Sequence, residues 1–98
     1  MSKLVEIQTA NLRLSILMLA AEVGNGCVNE DILIRGVEAA GHWVSRDALL
    51  TQVEWLKEQG LVETNTVSQL VLVKITRRGA DVAAGRSNVP GVDQPPIR

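Results

Sequence analysis

Ninety-eight residues, 46% hydrophobic and 21% charged, make a single small globular domain rather than a disordered chain. The formal net charge of −1 excludes a general basic field for nucleic acid, so any DNA contact needs cations gathered on one face. One cysteine, Cys27, and one histidine, His42, exclude an internal disulfide and an ordinary zinc site of about four ligands; with two Trp and no Phe or Tyr, the core must be aliphatic.

The first helix is expected over about residues 4–23. Its apolar side chains fall into two rows, Ile7, Ala10, Leu14, Leu17 and Ala21 on one side and Leu12, Ile16, Leu19 and Val23 on the other. At about 100° per residue these rows lie nearly opposite each other, so the helix must be covered twice. Either the last helix covers the second row, or Leu12, Ile16, Leu19 and Val23 form a homodimer interface. Gly24-Asn25-Gly26 stops the helix with residues that tolerate positive φ, and Cys27-Val28 suits a very short strand. Asn29 caps a second helix that reaches Ala40, with Glu30 and Asp31 in its first turn, where the helix dipole favours negative charge.

His42-Trp43-Val44 is the turn into a third helix, capped by Ser45 and closed by Gly60, whose buried row is Leu49, Val53 and Leu56. Strands follow over about 61–64 and 70–76, with 65–69 as the hairpin tip. Thr76 caps a short fourth helix, 77–84. The segment SNVPGVDQPPIR has three prolines and no periodicity and is expected to be a flexible or extended tail. The order helix, helix, helix, strand, strand, helix predicts a winged helix-turn-helix, mainly α with a small β-hairpin (α+β). A winged-helix domain spans 1–86 and a flexible tail 87–98. No run approaches the roughly 20 apolar residues of a membrane span, and the chain fits a cytoplasmic setting without membrane contact.

The run AAGHWVSRDALLTQVEWLKEQGLVE resembles the helix-turn-helix and wing entry of ArsR-type winged-helix regulators. From LRLSILMLAAEV through ITRRGADVAAGR to VPGV, nearly the whole chain is similar to a family of small proteins of Mu-like prophages, often labelled ArsR-type transcriptional regulators. The resemblance implies a winged-helix fold, a phage or prophage context and a regulatory role. Metal-sensing members carry paired cysteines, often on the third helix; this third helix has none, so metal sensing is not carried over.

In the winged-helix mode the third helix meets bases with its N-terminal half, which points to Ser45, Arg46 and Thr51. Lys74, Arg77 and Arg78, at the end of the second wing strand, are the candidate phosphate contacts. Opposing this, Asp47, Glu54 and Glu58 share one outward strip of that helix with Thr51, and carboxylates repel phosphate. The expected function is DNA binding by a homodimeric regulator of transcription. The alternative is a protein–protein interaction or oligomerisation module that kept the fold without DNA. No catalytic constellation, glycine-rich phosphate loop, metal site or cofactor is expected.

Overall fold

A computed structural model describes residues 2–96. The element order is α1 (Lys3–Glu22), β1 (Cys27–Asn29), α2 (Glu30–Ala39), α3 (Arg46–Glu58), β2 (Val62–Val67), β3 (Leu70–Ile75) and α4 (Arg77–Ala83). The caps are those that local chemistry favours. Asn29 accepts from the Ile32 N–H, Ser45 from the Ala48 N–H and Thr76 from the Gly79 N–H, each satisfying an orphan donor of a first turn. This is a winged helix, with β1 added as a third strand in the order β1-β3-β2.

The wing is longer and tighter than expected. Antiparallel pairing runs from Val62 opposite Ile75 to Val67 opposite Leu70, so only Ser68 and Gln69 turn. Both have positive φ, 51° and 67°, the geometry of a two-residue hairpin whose twist matches its strands. Without the glycine that usually marks such a turn, the sequence reads as a looser loop.

The core forms around α1. Leu12, Leu14, Ile16, Leu17 and Ala20 are all buried, although they point to different sides of the helix, because α2, α3, α4 and the sheet pack around it. Of the row Leu12, Ile16, Leu19 and Val23, the first two are core and the last two pack half-buried against it, which corrects the expectation that Leu12 and Ile16 meet a second copy. Ile16 is fully buried within one chain, and Leu19 nests over Gly36 of α2, where an added Cβ would lie 2.8 Å from its Cδ1. By length and mean hydropathy α1 also reaches the range of a membrane span, contrary to the sequence reading, yet its apolar middle is the centre of the globule.

A second correction concerns residues 87–96, which fold back as a strap instead of hanging free. Val89 and Val92 are buried in the common core. The Asp93 N–H donates to the Ala10 carbonyl and its carboxylate accepts from Asn11. Arg13 donates to the Gly91 carbonyl at 3.0 Å and to Gln52 of α3 at 2.8 Å, while its guanidinium stacks 3.7 Å over Trp55. Burial lowers the Arg13 pKa, yet the cation stays charged and joins strap, α1 and α3. Residues 97 and 98 of the expected tail lie outside the described residues.

Candidate nucleic-acid interface

At the N-terminal end of α3, Ser45 and Arg46 stand beside the start of α2 and the first residues of β3. The link is Glu30, the first residue of α2, which is 1% exposed. Its Oε1 accepts from the Val71 backbone N–H at 2.8 Å and from Arg46 Nη2 at 3.0 Å, and its Oε2 forms an ion pair with Arg46 Nε. One carboxylate thus joins α2, α3 and the wing. The Arg46 guanidinium, then the Val71 N–H, hold the Glu30 carboxyl below the usual carboxylate range, and Glu30 in turn raises the Arg46 pKa. The Arg46 side chain remains 56% exposed.

The other candidates in the N-terminal half of α3 are exposed but partly engaged. Ser45 Oγ is the helix cap, and Thr51 Oγ1 donates back to the Asp47 carbonyl at 2.9 Å. Asp47, Glu54 and Glu58 are all exposed, and Lys57 is 3.9 Å from Glu54. The outward strip of α3 is therefore acidic from its first turn onward.

Of the expected phosphate contacts, the two arginines lie at the opposite end of α3, and Lys74 lies on β3 between the two ends. Lys74 is exposed on the sheet between Cys27 of β1 and Glu63 of β2. Arg77 is exposed at the start of α4, and Arg78 Nη1 donates to the Gln59 carbonyl at the C-terminal cap of α3. With 13 residues of α3 between them, Arg46 and the Arg78 contact are separated by roughly 20 Å at 1.5 Å per residue. The fold does not bring the two sets together. Arg86 is paired with Asp81 at 3.0 Å, outside both sets.

Sequence reasoning missed Glu30, which reads locally as an ordinary first-turn acid. Only the burial of its position beneath the wing, 41 residues away in sequence, gives it a different role. Among the remaining side chains, His42 is tied to Asn11 at 2.9 Å, whereas Trp43 beside it is 79% exposed.

No family model matches the chain. It is 42% identical over 90 residues to the uncharacterized protein gp26 of Escherichia phage Mu, covering 92% of this chain and 93% of that one. An uncharacterized protein of Haemophilus influenzae is 36% identical over 74 residues, covering 74% of this chain and 72% of its own. Among solved structures, an apo mutant of Lactococcus lactis ZitR matches with a TM-score of 0.60 and 22% identity. That match covers 84% of this chain, which spans 58% of the ZitR chain; at this identity the likeness shows the fold alone. The extent and identity of the phage match place the chain in the same family as gp26 of phage Mu.

Proposed function

We propose that this protein is a phage-type winged-helix regulator of transcription, of the ArsR-like kind, that binds double-stranded DNA as a homodimer in the cytoplasm. The observation that carries the proposal is the edge built around Glu30, which holds the exposed first turn of α3 beside the wing. In this reading Ser45, Arg46 and Thr51 face bases. Glu54 and Glu58, beyond Thr51, confine the contact to the first two turns, where Asp47 is the one carboxylate. Lys74 and Arg77 hold phosphates, with Arg78 adding charge nearby. The Arg78 contact lies roughly 20 Å from Arg46 along α3, more than the roughly 12 Å width of the major groove, so the arginines of α4 meet phosphate beyond the groove that α3 enters, whereas Lys74, three residues along β3 from Val71, lies nearer to it.

The homodimer rests on exposed apolar surface: Leu4, Val5 and Ile7 at the start of α1 are uncovered in one chain, as are Met18, Ile32, Trp43 and Val67 elsewhere.

One observation favours a second reading, a protein-interaction module without DNA: exposed Trp43 and the acidic strip together suit a protein partner better than a polyanion. Fluorescence anisotropy of a labelled duplex at several salt concentrations separates the two. DNA binding predicts an affinity that falls linearly with log salt and a slope that shrinks by about one for Arg77→Ala. Folded protein that leaves the duplex free at low salt overturns the DNA reading in favour of the module.

A further inference from the structure

We infer that Arg46 reads a guanine in the major groove through the guanidinium edge that Glu30 leaves free, and that Glu30 is its positioning residue. The inference rests on the DNA-binding reading above. A guanidinium carries five N–H donors in a rigid plane. Glu30 occupies the side edge, with Oε2 against Nε and Oε1 against Nη2. Both Nη1 hydrogens and the second Nη2 hydrogen stay free. One Nη1 hydrogen and that Nη2 hydrogen lie parallel on the end edge and form the planar fork that matches the O6 and N7 acceptors of guanine, on a side chain that is 56% exposed.

Three features set this arginine apart from a surface ion pair. Its carboxylate is 1% exposed and anchored by the Val71 N–H, so it cannot follow a swinging guanidinium. Arg46 begins a helix whose cap is fixed by Ser45, so both ends of the side chain are held and much of its rotamer freedom is lost before DNA arrives. Neutralised by Glu30 and flanked by Asp31 and Asp47, whose charges reach it, Arg46 contributes little non-specific attraction for phosphate. A fixed fork without net charge is poor at gripping backbone and good at distinguishing one base. Arg77, exposed at the start of α4, is the contrasting case: a charge free to meet any phosphate.

The test is selection of duplexes from a randomised library by the wild-type protein, followed by anisotropy on the selected duplex with 7-deazaguanine placed at each guanine in turn. Loss of N7 at one guanine should weaken wild-type binding roughly 5- to 150-fold while leaving the salt slope unchanged. Arg46→Met removes every donor of the fork while keeping a long side chain and, confirmed as folded by circular dichroism, should bind the normal and deaza duplexes equally. Glu30→Gln, confirmed as folded in the same way, should lose most of the same discrimination, and the double variant should lose no more than Arg46→Met alone. A purely structural Glu30 would lower stability and leave the discrimination intact, which overturns its positioning role. Wild-type binding that tolerates every 7-deazaguanine overturns the guanine assignment and leaves DNA binding standing. A wild-type protein that retains no duplex at low salt overturns the DNA-binding reading and this inference with it.

Discussion

Both ends of α3 meet an arginine, and the two are used in opposite ways. At the C-terminal end, Arg78 gives Nη1 to the Gln59 carbonyl and Thr76 gives its hydroxyl to the Gly60 carbonyl, so this end is closed with the chain's own donors. Gly79 lies so close beneath that an added Cβ would meet the Leu61 carbonyl oxygen at 2.0 Å. At the N-terminal end Arg46 is also held, but by a carboxylate buried behind it, and its outer edge faces solvent. The charge count of the two ends therefore misleads. The end richer in cations has one of them committed to packing, while the end that looks acidic keeps one donor fork in a fixed place.

The sharpest way to break this contrast is at the closed end. Gly79→Ala drives a methyl group into backbone that cannot give way, and should destabilise the fold by more than about 3 kcal/mol in a urea titration. A smaller loss would mean that α4 can shift away from the Leu61 turn.

At the open end, Glu30→Ala leaves the Val71 N–H without its acceptor and should cost about 1–3 kcal/mol. This contribution also depends on pH. Arg46, then the Val71 N–H, lower the folded-state pKa of Glu30, so the stabilisation is complete above the unfolded carboxylate value of about 4.3 and disappears as pH falls through the folded value. Thermal melts from pH 6 down to about pH 3 should accordingly show a steeper acid loss for the wild type than for Glu30→Gln. Parallel curves would remove Glu30 from the account of the N-terminal edge.

The smallest effect expected is Arg78→Ala, about 0.5–1 kcal/mol, because the contact it makes is exposed and the freed carbonyl can bond water. Duplex affinity should change less for this variant than for Arg77→Ala. A larger change at Arg78 would show that its charge reaches phosphate despite the bond to Gln59, and the distinction between the two ends would weaken.

Where each helix begins and ends was legible in the residues alone, because a cap acts within three or four positions. Asn29, Ser45 and Thr76 accept from the N–H groups expected of them, and Gly60 has the positive φ (76°) of a helix-terminating glycine. The buried row Leu49, Val53 and Leu56 followed from period 3.6 for the same local reason. The element order, and with it the winged helix, needed little more than short loops. The relation to a protein of phage Mu was visible in whole-chain resemblance, above all in TRRGADVAAGR and VPGV, and not in any single physical feature.

What covers each face, and which charge is used, was decided only by tertiary structure. Periodicity showed that α1 has two apolar sides; it could not show that the chain itself covers both, since Ile16 presents the same residue to a core as to a dimer interface. The strap depends on Val89 and Val92, two apolar residues in a proline-containing run with no local pattern to mark them. Glu30 and Arg46 are 16 residues apart, and Glu30 and Val71 are 41 apart. An acid in a first turn looks solvated until α2, α3 and β3 converge on it. Local rules fix what a segment does with its own backbone, whereas the role of a charge is set by its neighbours and by the water it loses.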